Sequence, residues 1–341
     1  MNVIDFFCGC GGTSLGFQQA GMRIALGLDM DLYSGDTFKL NFPKAKFLLK
    51  DICEVPAKTL KKDLPARPWL FSGCAPCQPF SRQNGARSAR DSRRGLLDQF
   101  SRFIVEWHPE YVFVENVPGL QNIGSGGPLG RFIRVLRSND YAVSFSVLPA
   151  LWYGVPQRRD RLVLIASESG AVGLPPATHG TGLRPFSTVR EWIENLPELK
   201  AGETDRKDPV HRASALSEEN MKRILATPEG KGRESWPDNL ILDCHRRHGG
   251  HTDVYGRLAW DKPASGLTTR CISLSNGRFG HPEQARALSA REAACLQTFP
   301  KSYQFSGNLT SIATQIGNAV PPLMARRIGE TILAHHKRCK E

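Results

Sequence analysis

Seven short apolar runs, NVIDFF, RIALGL, KFLL, PWLFS, YVFVEN, YAVSFSVL and RLVLIA, are spaced through residues 1–169. Each has the length of a buried strand and is too short for a buried helix. Amphipathic stretches separate them. Between Leu129 and Asn139, for example, Phe132, Ile133, Val135 and Leu136 interleave with Arg131, Arg134 and Arg137. This alternation predicts an α/β fold in the manner of a parallel sheet, with ligands bound at the carboxyl ends of the strands.

The rhythm stops after residue 169. From 170 to about 280 the chain is rich in Pro, Gly, Arg and His, with sustained periodicity only at Val189–Leu196 and Met221–Leu225. Trp192, Trp236, Tyr255 and Trp260 need an interior, so this stretch reads as a loop-rich second domain and not as a linker. Its length of 341 residues also places the chain beyond the size at which one core usually stays undivided. Helical signals return at SAREAACLQTF, where Ser289 and Glu292 have capping-box spacing. A last helix begins near Pro321, with Leu323, Met324, Ile328, Ile332 and Leu333 on one side and Lys337, Arg338 and Lys340 at its end. The expected division is 1–169, a smaller domain over 170–310, and a segment over 311–341 that returns to the first.

The first run leads into DFFCGCGGTSLGF, a glycine turn that opens a helix. Gly9, Gly11 and Gly12 supply the tight turn and close backbone approach that a nucleotide site needs. A dinucleotide fingerprint would require glycine at Ser14, and no Walker lysine follows, so the turn suits a nucleoside better than a pyrophosphate. Asp29, about twenty residues on, stands where an acid accepts ribose hydroxyls. Asp51 is placed to meet an adenine amino group. A plain turn with two helix-capping aspartates would leave the same pattern.

The stretch SGCAPCQPFS raises the question of Cys77. Cys74-Ala-Pro-Cys77 has the spacing of a redox pair or half a zinc site. Zinc would need the remote Cys244, His245, His248 or His251, and a redox motif would belong early in a shorter domain. A nucleophile needs a thiol on a rigid turn after a strand, which Pro76 and Pro79 supply. An ordinary thiol is only about 3% thiolate at neutral pH, so the site must lower its pKa or take its proton during attack. Nine cysteines, no secretory signal and no apolar run of spanning length read as a reduced, cytosolic chain. A formal charge of +12 favours a polyanionic partner.

Pro76-Cys77-Gln78 in this setting resembles the catalytic motif of the DNA (cytosine-5)-methyltransferases of bacteria and phage. DFFCGCGG resembles that family's first cofactor motif, VENVPGL its glutamate motif, QRRDRLVLIA its arginine motif, REAACLQTFP its ninth block and QIGNAVPPLMA its last. The six stand in the family's order over nearly the whole chain. The resemblance implies a Rossmann-like S-adenosylmethionine-dependent methyltransferase sheet with a smaller, loop-rich target-recognition domain. It implies Phe7 stacked on adenine, Asp29 on the ribose, and Asp51 and Ile52 flanking the base. Gly9, Gly11, Gly12, Met30, Pro76, Leu96, Asn318, Ala319 and Val320 complete the implied cofactor pocket. Cysteines at positions 8 and 10, and Met30 where an aromatic is frequent, depart from the commoner pattern.

Carbon 5 of cytosine is too weak a nucleophile to take a methyl group directly. Thiolate attack on carbon 6 makes it enamine-like, and the resemblance assigns that attack to Cys77. Charge building on the ring is offset at nitrogen 3, the place the family gives Glu115. An ordinary glutamate costs about 3.7 kcal/mol to protonate at pH 7, so the expectation is a hydrogen bond that tightens in the transition state. Arg159 and Arg161, alternating into a strand, are expected to point the same way; the resemblance implies that they anchor the cytosine oxygen and nearby phosphates, with Gln157 alongside as a DNA contact. The base must be flipped out of the duplex. The basic stretch Ser81–Gly95, with Arg82, Gln83, Arg87 and Arg90, is expected to close on DNA, and Thr268, Thr269 and Arg270 to touch it.

The expected partners are double-stranded DNA and, unless the enzyme acts alone, a cognate restriction endonuclease, with S-adenosyl-L-homocysteine as product, no metal, no membrane and a monomeric state. The transfer-RNA branch of the same architecture carries a Cys-Phe-Thr tripeptide that this sequence lacks. A non-catalytic DNA-binding regulator would not need Cys77, Glu115, Arg159 and Arg161 together.

Overall fold

The computed structural model describes residues 1–75, 95–119, 126–246 and 252–341. They form two compact units: 1–153 with 160–177 and 320–341, and 154–159 with 178–319. The second unit thus takes in residues 311–319, which the sequence pattern had grouped with the C-terminal segment.

In chain order the first unit begins β1 (Asn2–Phe6), α1 (Gly12–Gln19), β2 (Arg23–Asp29), α2 (Leu32–Asn41) and β3 (Lys46–Leu49). It continues with β4 (Trp69–Gly73), α3 (Leu96–Trp107), β5 (Tyr111–Asn116), α4 (Pro128–Ser138) and β6 (Ala142–Pro149). After the short β7 (Gln157–Arg158), which belongs to the second unit, comes β8 (Asp160–Ser167). Seven strands make one sheet in the order β3-β2-β1-β4-β5-β8-β6. All seven apolar runs are strands, but the sheet is not wholly parallel. β8 runs antiparallel to both β5 and β6, inserted between them. Only ten residues separate β6 from β8, too few for the helical crossover that a parallel neighbour requires.

Register sorts the side chains onto two faces. Ile4, Phe71 and Val112 are paired across β1, β4 and β5, and with Phe6, Phe100, Phe103 and Phe132 they form an apolar core on the α3–α4 side. Asp5, Ser72 and Phe113 are paired one residue on and face the other way, where Phe17 of α1 meets Phe113 edge-on. The last helix, α10 (Pro322–Arg338), packs against α1 on this side. A Cβ at Gly16 would fall 2.5 Å from that of Ala325, so the close approach of the two helices requires glycine there.

The second unit contains α5 (Val189–Ile193), α6 (Glu218–Leu225), α7 (Asp243–Arg246), β9 (Ala264–Ser265), α8 (Ala290–Leu296) and α9 (Leu309–Asn318). Ser289 and Glu292 form the expected capping box at the start of α8. Trp236 is buried, its indole donating to Thr227 Oγ1 at 2.8 Å. Charged groups are buried alongside the apolar side chains. Arg257 is buried and donates to the carbonyls of Ile224, Thr227, His281 and Gln284. Arg286, 0% exposed, grips both oxygens of Glu292 at 2.6 and 2.7 Å. Burial pushes the Glu292 pKa up, but the hydrogen bonds and charge of Arg286 outweigh it and leave it lowered. Burial drives neighbouring His281 down to about 4, so Arg286 carries the compensating charge at neutral pH.

Arg286→Met would leave the Glu292 carboxylate buried without that partner. Denaturant unfolding is expected to show a loss of about 3–5 kcal/mol, most of it recovered in the Arg286→Met/Glu292→Leu pair. Equal losses in the single and double variants would contradict this account of the second unit's interior.

Candidate active site

β1 and β4 are neighbours whose following connections leave in different directions, the place where open α/β sheets bind ligands. β1 ends in the glycine turn. Phe7 (φ 57°), Gly9 (φ 51°) and Gly11 (φ 87°) all adopt left-handed backbone, and Gly11 caps α1. The turn is tied down by Cys8 N–H to Leu28 O at 3.2 Å and Gly11 N–H to Cys8 O at 2.9 Å.

Asp29, at the end of β2, accepts from Gly9 N–H at 2.8 Å through one oxygen and from Asp31 N–H at 2.9 Å through the other. Burial pushes its pKa up, against those backbone donors. Asp31 caps α2 through Ser34 N–H at 2.7 Å. Asp51 accepts from Cys53 N–H at 2.9 Å, next to buried Ile52. Phe7 packs at the border of the apolar core, whereas Met30 is 68% exposed at the mouth of the turn. A Cβ built on Gly9 meets no atom within 4 Å, so the space over the turn is open. Half-buried Leu96 starts α3. Val320 is buried in the same unit, while Asn318 and Ala319 end α9 in the second unit.

Cys8 and Cys10, the departures from the commoner pattern, are buried. Burial pushes the Cys8 thiol far up and the Cys10 thiol to about 12, which makes them inert packing groups under the turn.

Glu115 lies at the end of β5, 6% exposed, opposite Val163 of β8. Arg161, two residues earlier on the antiparallel strand, is its diagonal neighbour on the same face. The two form an ion pair of 2.7 Å, Arg161 Nε to Glu115 Oε1. Asn116 turns the strand end toward β4, donating to Ala75 O at 3.2 Å. Cys74 is half-buried between Thr13 Oγ1, at 3.4 Å, and the Glu115 side. Burial, then the charges of Glu115 and Asp5, push its thiol well above the usual range. A thiol held protonated in this way does not suit a redox pair.

Several expected residues lie outside the described ones: Pro76, Cys77, Arg82, Gln83, Arg87 and Arg90, with His248 and His251 of the zinc alternative. The described chain stops at Ala75, two residues before Cys77.

Two expectations are revised. Arg159 does not continue β8 beside Arg161. It belongs to the second unit, is buried, and donates to Leu267 O at 2.7 Å, Gly317 O at 2.9 Å and Ala319 O at 3.3 Å. Gln157, expected beside DNA, is 0% exposed: its amide nitrogen donates to Leu296 O at 3.0 Å and to the Gln297 side chain, and its oxygen accepts from Leu267 N–H at 3.1 Å. Gln157 and Arg159 therefore hold Leu267 from both sides, immediately before half-buried Thr268 and Thr269 and exposed Arg270.

The profile of the C-5 cytosine-specific DNA methylase family matches residues 1–334. The chain belongs to that family. It is 41% identical over 337 residues to the Type II methylase M.HgiDII of Herpetosiphon aurantiacus, covering 97% of this chain and 94% of the relative. It is 32% identical to the Type II methyltransferase M1.HphI of Haemophilus parahaemolyticus, covering 98% and 87%. Its fold matches a crystal structure from E. coli described as a prophage-encoded DNA modification methyltransferase, with a TM-score of 0.77 at 23% identity and 99% of both chains covered. The protein is thus a DNA cytosine-5 methyltransferase, with Glu115 and Arg161 paired at its strand ends.

The sequence reading had not singled out Asp5, Ser14, Ser72 or Asn116. One signal was available: serine at position 14, where a dinucleotide-binding turn would carry glycine.

Proposed function

We propose that the protein transfers a methyl group from S-adenosylmethionine to carbon 5 of a flipped-out cytosine within a specific DNA sequence, through a covalent adduct of Cys77 at carbon 6. The observation that carries this reading is the Glu115–Arg161 pair at the end of β5, beside the strand that leads to Cys77 and on the same sheet edge as the glycine turn. The cofactor supplies an electrophilic methyl group. The residues present fit it: an open turn at Gly9, a carboxylate at Asp29, and apolar Phe7, Met30 and Ile52 around the strand ends.

In this reading the Cys77 sulfur adds to carbon 6 and carbon 5 takes the methyl group. Loss of the carbon-5 proton then expels the sulfur and restores the aromatic ring. Glu115 shares a proton with nitrogen 3 as charge builds there, and Arg161 holds the Glu115 carboxyl in place while its remaining donors face the cytosine oxygen. Arg82, Arg87 and Arg90 contact phosphates, and Thr268, Thr269 and Arg270, anchored through Arg159, touch DNA from the second unit. Reading of base edges falls to that unit. The Type II methylases among the relatives point to a restriction endonuclease of the same sequence specificity as the genetic partner.

The adduct is testable directly. DNA with 5-fluorocytosine at the target cannot lose fluorine as a cation, so the enzyme is expected to remain bound covalently with cofactor present and to migrate as a denaturation-resistant complex. Normal turnover on that DNA would contradict the adduct. A second expectation concerns the turn: Asp29→Ala removes the acceptor that fixes Gly9 and is expected to weaken S-adenosylhomocysteine binding by about tenfold or more in calorimetric titration. Unchanged affinity would remove Asp29 from the cofactor site.

A further inference from the structure

One buried carboxylate has no part in that chemistry. Asp5, in the middle of β1, is 0% exposed and accepts two hydroxyls: Ser14 Oγ of α1 at 2.6 Å and Ser72 Oγ of β4 at 2.7 Å. Asp5 and Ser72 are register partners in neighbouring parallel strands, so they share a face of the sheet. Ser14 comes down onto them from the first turn of α1, the turn that the glycine segment caps.

A carboxylate placed there for packing alone would be a poor choice. Burial raises the Asp5 pKa to about 6, with the two serine hydrogen bonds opposing the shift. An apolar residue would avoid that desolvation cost, but the carboxylate holds two hydroxyl donors from different elements at once, one on each oxygen. A second contact runs the same way two residues beyond Ser72, just past the end of β4, where Thr13 Oγ1 lies 3.4 Å from Cys74 Sγ. Asn116 then fixes Ala75 from β5.

We propose that Asp5 is a positioning residue: through Ser14 and Ser72 it couples the cofactor turn to the strand that delivers Cys77, so that each sets the geometry of the other. This rests on the function proposed above. It explains serine at position 14, where the turn needs a donor facing downward into the sheet. Ser72 sits five residues before Cys77 and Ser14 three residues after Gly11, so one carboxylate spans the roots of both segments.

The coupling has a crossed signature in variants that each lose one hydroxyl. Ser72→Ala, on the nucleophile strand, is expected to raise the dissociation constant for S-adenosylhomocysteine about fivefold to tenfold, within the range of a typical intramolecular hydrogen bond. Ser14→Ala, on the cofactor helix, is expected to slow single-turnover methyl transfer about tenfold even at saturating S-adenosylmethionine. Because both act through Asp5, the double variant should cost less than the product of the two. If each serine affects only its own side and the effects multiply, the coupling is wrong.

Hydrogen exchange on the wild-type protein gives a reading that does not depend on the variants folding. Saturating S-adenosylhomocysteine is expected to slow exchange at the Ser72 and Gly73 amides as well as at Leu15, whose N–H bonds Gly11 O. Protection confined to α1 would equally overturn the coupling. A wild-type protein that neither binds S-adenosylhomocysteine nor methylates DNA would instead contradict the function on which the coupling rests.

Discussion

Cys77→Ala is expected to abolish methyl transfer, by at least about four orders of magnitude, while leaving S-adenosylhomocysteine binding within about twofold of wild type. The split follows from the layout of the fold. Of the described groups assigned to the cofactor, Phe7, Gly9, Asp29, Met30, Asp51 and Ile52 come from the ends of β1 and β2 and the connection after β3, and Leu96 from the start of α3, whereas Cys77 follows β4. Removing the sulfur leaves carbon 5 of cytosine without activation but does not touch the turn. The redox alternative makes a different prediction, because it needs Cys74 as well. Burial and the nearby carboxylates keep Cys74 protonated, so Cys74→Ser is expected to retain turnover. Loss of activity in Cys74→Ser with survival in Cys77→Ala would reverse the assignment.

Glu115→Gln is the second large effect. The substitution keeps the size of the side chain and an oxygen that Arg161 Nε can still reach, but removes the carboxyl that shares a proton with nitrogen 3. Single-turnover methylation is expected to fall by about 10²–10⁴. Cofactor affinity should hold, since Glu115 pairs with Arg161 of β8 and not with the turn. If Glu115 served only as Arg161's partner, glutamine would substitute with little loss of rate. A fall of less than about threefold would therefore exclude the proton-sharing role. Arg161→Ala separates the two contributions, because it leaves a buried carboxylate without its cation and so lowers stability as well as rate.

The sheet was legible in the sequence because buried strands leave short apolar runs that few other structures produce, and all seven were found. Strand direction was not, because an apolar run reads the same in either sense. Only the short connection between β6 and β8 carries that information. The glycine turn and Glu115 were legible through local spacing, since both depend on backbone geometry within a few residues. The Glu115–Arg161 pair depends instead on a diagonal register between strands that are 46 positions apart in the chain, which no local pattern encodes.

The arginines of the second unit show why charge misleads. Arg159, Arg257, Arg286 and Arg291 count toward the +12 that suggests a polyanionic partner. All four are buried, on backbone carbonyls or on Glu292 and Asp208, within that unit's interior. A buried arginine and a DNA-binding one look alike until the carbonyls around it are in place. Asp5 was missed for the same reason: an acid inside an apolar run acquires its role only when Ser14 and Ser72 arrive from two other elements.

The measurement that bears most directly on the account is incubation of the purified protein with unmethylated plasmid and S-adenosylmethionine, followed by sequencing that reports 5-methylcytosine at single-base resolution. The account predicts 5-methylcytosine confined to one short recurring sequence, and none with the Cys77→Ala protein. Plasmid left unmodified by a protein that binds the cofactor, or methylation that survives the loss of Cys77, would contradict it.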